Sequence, residues 1–273
     1  MNIEKYNLSK KSFTFIKDVA ADYGLKIDDQ MEDKIYARLV RRVRQLQLPD
    51  FDAYCSYFIT HPEERTKLIN LITNSTTYFF RENYHFTYLH EKLFPELFAR
   101  KTHIRIWSAG CATGEEPYSI AMTMAEVIPN LFKYNVKILA TDINTDALQF
   151  AKNGIYSPNQ ISHVGLQRTQ RWFHKVRNND NLYYEIDNRL KQLVSFQQLN
   201  LLGTWPMKTR FDLIMCRNVI IYFTAKGSDE VLIKLNHYLE VGGILILGYA
   251  ENLHSVSSCY HHITRNIYKK ILD

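Results

Sequence analysis

Between residues 31 and 46 (MEDKIYARLVRRVRQL) the apolar side chains of Met31, Ile35, Leu39, Val43 and Leu46 recur at intervals of four and three. That spacing predicts an α-helix with one apolar face. Its other face carries Lys34, Arg38, Arg41, Arg42 and Arg44, offset only by Glu32 and Asp33 at the start. Such a face is either a solvated helix surface or a docking surface for an acidic partner. Leu48-Pro49-Asp50 ends the helix. Two further helices are predicted at 51–60 and 62–73. The hydroxyl-rich stretch TNSTTYFFRE (73–82) reads as a cap or turn leading into another helix over roughly 82–99. The first hundred residues are thus expected to be helical.

After Lys101 the pattern changes to short apolar runs at 104–108, 136–143, 193–198, 211–216 and 244–249. Helices are predicted between them at 116–127, 146–153 and 227–239. Strands alternating with helices predict an α/β fold with a parallel sheet covered on both faces. The connection from Asn153 to Leu193 is too long for a turn. It contains Tyr156, Trp172, Phe173, Tyr183 and Tyr184, which predicts a small inserted subdomain.

Composition changes this picture little. Of 273 residues, 46% are hydrophobic and 23% charged, with 18 Tyr and 15 Phe, which predicts a folded globular chain. No apolar run reaches the roughly 18 residues of a membrane span, and MNIEKYNLSKKSFTF lacks the apolar core of a signal peptide. The expectation is a cytoplasmic protein with no membrane insertion. Cys55, Cys111, Cys216 and Cys259 form no C-x-x-C pair, so free thiols and no metal are expected. The net charge of +6 suits an acidic partner, whether nucleic acid, anionic surface or acidic protein.

The candidate chemistry begins at 104–119, IRIWSAGCATGEEPYS. An apolar strand runs into Gly110-Cys111-Ala112-Thr113-Gly114, and a helix starts at Glu115 or Glu116. Small residues after a strand allow close backbone approach to a ligand, at the edge where open α/β sheets bind ligands. A phosphate loop would need Gly-Lys-Ser/Thr there. Glu115 and Glu116 would repel a pyrophosphate at the helix N-terminus. Both suit a cofactor that carries positive charge, such as S-adenosylmethionine. The second strand, VKILATDI, ends on Asp142, placed either to accept from ribose hydroxyls or to cap the next helix. The stretch FDLIMCRNVIIYF (211–223) predicts a strand with Arg217, Asn218 and Tyr222 at the ligand edge; Tyr222 could equally be a core aromatic.

Taken together, TNSTTYFFRE, IWSAGCATGEEPYSIAM, ATDINTDAL, Asn200-Leu201 and FDLIMCRNVIIYF resemble the bacterial chemotaxis receptor methyltransferases, the CheR family. The resemblance runs from the basic helix to the end of the chain. It implies a class I methyltransferase domain, Rossmann-like with a mostly parallel doubly wound sheet, over 76–273. It also implies a small all-α N-terminal domain over 1–75 and an inserted antiparallel β-subdomain over 157–192. It implies methyl transfer from S-adenosyl-L-methionine to the γ-carboxylate of receptor glutamates, giving a methyl ester and S-adenosyl-L-homocysteine. By position, the family's cofactor contacts fall on Asn74, Thr77, Arg81, Glu116, Asp142, Asn200, Leu201, Arg217 and Asn218. Arg81 and Tyr222 stand where catalytic assistance is expected. One residue more than the usual pattern separates Asn74 from Arg81, so Asn74 or Ser75 fills the Asn position.

A glutamate with pKa near about 4.3 is already ionised at neutral pH, so no general base is needed. The expected partner is the cytoplasmic helical bundle of chemoreceptors, docked on the basic helix 31–46, with the enzyme a monomer. Two rivals are a nucleic-acid methyltransferase and a non-enzymatic cofactor sensor. Arg217-Asn218-Val219-Ile220 stands where an amine methyltransferase would carry Asn/Asp-Pro-Pro-aromatic, which argues against a nucleic-acid partner. Retention of both Arg81 and Tyr222 argues against a sensor.

Overall fold

The computed structural model describes residues 6–272. The chain divides into two compact units, one formed by 6–74 with Tyr222–Gly227 and the other by Ser75–Ile221 with 228–272.

The described residues of the first unit include the helices α1 (Lys10–Asp22), α2 (Glu32–Gln45), α3 (Phe51–Thr60) and α4 (Glu64–Ile72). Ser9 caps α1 by accepting from the Ser12 N–H at 3.1 Å, and Asp50, just after Pro49, caps α3 by accepting from Ala53 N–H at 2.8 Å. α1 packs on α3 and α2 on α4. The periodic Ile35, Leu39 and Val43 are fully buried with Ile16, Phe51, Tyr54 and Leu68, each large apolar side chain contributing roughly 1.5–3 kcal/mol. Tyr222–Gly227 joins this unit through the Lys26 N–H, which donates to Tyr222 O at 2.8 Å, and a bridge between Leu25 and Phe223.

The basic face of α2 is less open than its sequence predicts. Arg42 is held in a two-pronged ion pair with Glu64, Nε to Oε1 at 2.9 Å and Nη2 to Oε2 at 2.6 Å, and Glu64 is 1% exposed. The Tyr54 hydroxyl donates to the same carboxylate. Arg38 donates to the Ile72 carbonyl at 2.8 Å. Within the helix only Glu32 and Asp33 offset the positive charge; the packing of α4 on α2 brings a third carboxylate from 22 residues away. Arg38 and Arg42 are therefore structural here, while Lys34, Arg41 and Arg44 stay exposed.

The second unit opens with α5 (Tyr84–Tyr88), a π-helical turn (Leu89–Leu93) and α6 (Phe94–Arg100) where one helix over 82–99 is expected. Pro95 accounts for the difference: it has no N–H to donate and its ring crowds the carbonyl four residues back. There follow β1 (His103–Ala109), α7 (Glu115–Val127), β2 (Asn135–Asp142), α8 (Thr145–Asn153), β3 (Ile155–Tyr156), α9 (Leu166–Trp172), β4 (Phe173–Asn178) and β5 (Asn181–Ile186). The chain continues through α10 (Asn188–Lys191), β6 (Val194–Gln198), β7 (Phe211–Cys216), α11 (Ala225–Tyr238), β8 (Leu239–Leu247), β9 (Tyr260–Thr264) and β10 (Ile267–Lys270).

The main sheet has the order β6-β2-β1-β7-β8-β10-β9. Strands β6 to β8 are parallel, and β10 runs antiparallel to both β8 and β9. Every apolar run predicted as a strand is a strand of this sheet. The β9–β10 hairpin has no counterpart in that prediction; its turn is Arg265-Asn266, both at positive φ. A second, antiparallel sheet of order β3-β5-β4 forms the insertion. It is anchored by its aromatics: Tyr156, Trp172 and Phe173 are buried, and Phe79 meets Tyr156 and Phe173 edge-on at 4.9 and 5.6 Å. No helix among the described residues is long and apolar enough to cross a membrane.

Candidate functional site

The chain reverses its direction across the sheet beside β1: β2 and β6 lie on one side, β7 and β8 on the other. Open α/β sheets bind ligands at the carboxyl ends of strands at this switch. Three loops converge there, following β1, β2 and β7.

The loop after β1 is built around Gly110 at φ +86° and Gly114 at φ +94°. Both glycines are required by space as well as by φ. A Cβ on Gly110 would lie 2.2 Å from Val219 Cγ2, and one on Gly114 would lie 2.7 Å from Ala151 Cβ. The Gly110 and Cys111 N–H groups both donate to Thr141 O, at 2.7 and 2.9 Å, tying this turn to the end of β2.

Asp142 closes β2. Its Oδ2 accepts from Ala112 N–H at 2.8 Å and its Oδ1 from Asn144 N–H at 2.9 Å. Asn144, not Asp142, caps α8, accepting from Ala147 N–H at 2.9 Å. A carboxylate can accept about four hydrogen bonds, so these N–H groups do not exhaust Asp142. Burial raises its pKa, and the N–H groups of Asn144, Ala112 and Ile143 offset only part of that rise. The Leu199 N–H donates to Asp142 O, which brings Asn200 and Leu201 beside it. Asn200 Oδ1 accepts from Leu202 N–H in a tight turn, and Leu201 is buried.

The two glutamates of the turn have different fates. Glu116 Oε1 accepts from the Ser108 hydroxyl at 2.7 Å, and Oε2 pairs with Arg217 Nη1 at 3.1 Å. Glu115 is 2% exposed. Burial pushes its pKa up to about 7, and the Thr113 hydroxyl donates to it at 2.7 Å. Of the two carboxylates whose charge suits a cationic cofactor, Glu115 is buried and Glu116 is the one paired with Arg217.

Arg217, at the end of β7, is 2% exposed in its side chain. Its Nη2 lies 3.3 Å from Glu82 Oε2 and donates to Arg81 O at 2.5 Å. Its Nε has no hydrogen-bond partner among the described residues. Asn218, at φ +58°, donates from Nδ2 to Glu82 Oε1 at 3.2 Å. Burial raises the pKa of Glu82, but Arg217 and Asn218 outweigh it, so the net shift is downward. The segment carrying Thr77 and Arg81 crosses these strand ends. Ser75 Oγ accepts from Asn144 Nδ2 at 3.4 Å at one end, and Arg81 O meets Arg217 at the other. Arg81 Nη1 itself donates to Thr76 O at 3.0 Å.

Eight of the predicted site residues therefore lie in the second unit: Thr77, Arg81, Glu116, Asp142, Asn200, Leu201, Arg217 and Asn218. Asn74 and Tyr222 belong to the first, where Asn74 Nδ2 donates to the Tyr222 hydroxyl at 2.7 Å. Glu82 and Glu251 were not singled out from the sequence. Glu82 adjoins Arg81 in FFRE; no spacing rule marks Glu251. The thiols of Cys111 and Cys216 are pushed well up by burial and carry no nucleophile. Burial and the nearby Arg217 lower His85 to about 4, which keeps it neutral.

The arrangement suits a zwitterionic nucleoside cofactor: an acid with spare acceptor positions beside a glycine turn, and a Glu–Arg pair facing opposite charges. Comparison with known proteins agrees. The model of the CheR methyltransferase SAM-binding domain matches residues 75–268, and that of the CheR methyltransferase all-alpha domain matches 14–73. A probable chemotaxis protein methyltransferase of Rhizobium etli is 35% identical over 255 residues, spanning 91% of this chain and 94% of that protein. The chemotaxis protein methyltransferase of Escherichia coli is 36% identical over 232 residues, spanning 84% and 79%. Among solved structures, the N-methyltransferase NodS of Bradyrhizobium japonicum with S-adenosyl-l-homocysteine aligns at a TM-score of 0.35 and 16% identity, over 61% of this chain and 59% of that one. With the class I sheet order, the helical N-terminal unit and both domain models in place, the chain belongs to the CheR family of S-adenosylmethionine-dependent chemotaxis methyltransferases.

Proposed function

We propose that this enzyme transfers the methyl group of S-adenosyl-L-methionine to the γ-carboxylate of glutamates on the cytoplasmic helical bundle of chemoreceptors, leaving a methyl ester and S-adenosyl-L-homocysteine. The observation that carries the reading is the ligand edge itself, where Asp142, the Gly110 turn and the Glu116–Arg217 pair converge. The names of the relatives place them in chemotaxis. The division of labour is a helical domain over 1–75, a methyltransferase domain over 76–273 and a β-subdomain over 157–192. The enzyme acts in the cytoplasm as a monomer.

When bound, S-adenosylmethionine supplies a methyl group made electrophilic by its sulfonium. Asp142 keeps acceptor capacity for the ribose hydroxyls beyond the backbone N–H groups that already hold it. Glu116 and Arg217 are suited to the ammonium and carboxylate of the methionine moiety, and Arg217 Nε, which has no hydrogen-bond partner among the described residues, adds a donor. Thr77, Asn200, Leu201 and Asn218 complete the contacts, with Asn74 or Ser75 in the remaining position. Ser75, already beside Asn144, is the better placed for the Asp142 loop.

The substrate carboxylate needs no base, since a glutamate near pKa 4.3 is ionised at about neutral pH. That fits an edge where Glu82 and Glu116 are both paired with Arg217. Arg81 would hold the substrate carboxylate or the cofactor with its planar fork. The Tyr222 hydroxyl accepts from Asn74, which leaves its proton to donate to the attacking carboxylate and orient a lone pair. Orientation can supply up to about 7–11 kcal/mol of barrier reduction. Lys34, Arg41 and Arg44 on α2 are the proposed docking charges for the acidic bundle.

The test is incubation with methyl-labelled cofactor and membranes bearing chemoreceptors. The expected result is label in receptor protein, released as methanol by alkali. Label appearing in nucleic acid, or protein label stable to alkali, would overturn the assignment.

A further inference from the structure

Glu251 lies outside every motif used above, yet it is one of the most heavily engaged carboxylates in the second unit. It is 3% exposed. Its Oε1 accepts from the N–H groups of Val219 and Ile220, both at 2.8 Å. Its Oε2 accepts from Asn218 N–H at 2.9 Å and Gly248 N–H at 2.7 Å. Three consecutive backbone donors of the loop after β7 thus converge on one side chain, an arrangement that favours a fixed anion. The fourth donor comes from the end of β8, so the carboxylate ties the two loops together.

The tie is reinforced from both sides. Asn266 Nδ2 donates to the carbonyls of Gly248 and Glu251, at 2.6 and 2.8 Å, holding the turn that presents Glu251. Gly248 has no room for a side chain: a Cβ there would sit 2.7 Å from Asn218 N and 2.8 Å from Glu251 Oε2. On the ligand side, Asn218 is kept at a left-handed φ of +58°, which costs a non-glycine residue energy unless its surroundings hold it. Val219, next in the chain, closes on Gly110 so tightly that only glycine fits beneath it. Arg217 and Asn218, whose side chains meet Glu82 and Glu116, leave from this same braced segment.

We infer that Glu251 is a positioning residue for the methyltransferase site: its carboxylate gathers the N–H groups of Asn218, Val219 and Ile220 and so holds Arg217 and Asn218 in the geometry that receives the cofactor. This rests on the reading of Arg217 and Asn218 as cofactor contacts. Glu251 touches no cofactor itself. It acts through the backbone.

The experiment compares the full-length protein with Glu251→Gln, Glu251→Asp and Arg217→Ala, titrating S-adenosylhomocysteine by calorimetry well below each unfolding temperature. A glutamine amide turns an NH2 group toward two backbone N–H groups in either orientation. Glu251→Gln is expected to raise the Kd at least tenfold, and the KM for S-adenosylmethionine in parallel, with near-normal circular dichroism. Glu251→Asp, which keeps the charge on a shorter arm, is expected to fall between Glu251→Gln and the parent. A purely structural role predicts a lower unfolding temperature with the Kd within twofold, and that result overturns the inference. If Arg217→Ala also leaves the Kd within twofold, the cofactor reading fails. If Arg217→Ala weakens binding and Glu251→Gln does not, only the brace fails. Should Glu251→Gln not fold, Asn266→Ala loosens the same turn; a several-fold rise in Kd supports the brace and an unchanged Kd refutes it.

Discussion

Glu115 offers a sharp test of how this fold treats charge. The side chain is 2% exposed, the Thr113 hydroxyl is its one side-chain donor among the described residues, and burial lifts its pKa from 4.5 to about 7. The folded state therefore binds a proton more tightly than the unfolded chain does. The resulting cost to folding is absent below pH 4.5, grows between pH 4.5 and 7, and is constant above. At 1.36 kcal/mol per pH unit it reaches about 3 kcal/mol at pH 7 and beyond. Glu115→Gln keeps the shape of the protonated acid and has nothing to ionise. Relative to the parent, the variant should gain roughly 2–3 kcal/mol of stability between pH 5 and pH 8.5. Urea unfolding at several pH values, followed by tryptophan fluorescence, reads this directly, because Trp107, Trp172 and Trp205 all lie in the second unit with Glu115. A difference that stays flat within about 0.5 kcal/mol across that range would show that the carboxyl is not held in a desolvated site.

Asp142→Asn should raise the Kd for S-adenosylhomocysteine at least about tenfold, since hydrogen bonds to charged groups contribute roughly 1.5–3 kcal/mol each; calorimetry giving an unchanged Kd would remove Asp142 from the site. Glu64→Ala leaves Arg42 and the Tyr54 hydroxyl without their shared acceptor. Arg42 is 26% exposed, so the cost should sit near the low end of the about 3–5 kcal/mol seen for broken buried pairs. Faster amide exchange in α2 and α4 with unchanged exchange in β1 and β2 is expected; uniform exchange rates would contradict it. Reversing Lys34, Arg41 and Arg44 to Glu together should cut receptor methylation more than tenfold at low salt and less so near about 1 M, where charges are screened beyond roughly 3 Å, with cofactor affinity unchanged. Full methylation by this triple variant would exclude α2 as the docking surface.

The sequence made the catalytic half legible because its elements are marked locally. Apolar runs of four to eight residues ended on Gly110, Asp142 and Arg217, so each strand announced both its length and the residue at its carboxyl end. A strand that ends on an acid or an Arg-Asn pair places those groups at the ligand edge wherever the strand lies in a parallel sheet. The helical half was legible from the 31–46 period for the same reason. The β9–β10 hairpin was not, because an Arg-Asn turn carries no glycine to flag it. The π-helical turn before α6 was foreshadowed only by Pro95.

What depended on long-range packing was the state of each charge. Glu115 and Glu116 are adjacent and look alike in the chain, yet helix α7 turns one into the core, where it is half-protonated near neutrality, and the other toward Ser108 and Arg217. Arg42 reads as one of five basic residues on a face until α4 delivers Glu64 to it. Glu251 is an ordinary acid in a loop until the β7 and β8 ends fold around it. Periodicity and strand ends are properties of neighbours along the chain, and a sequence displays them. Burial and ion pairing depend on residues tens of positions away, and only the folded arrangement of both units' helices and strands assigns them.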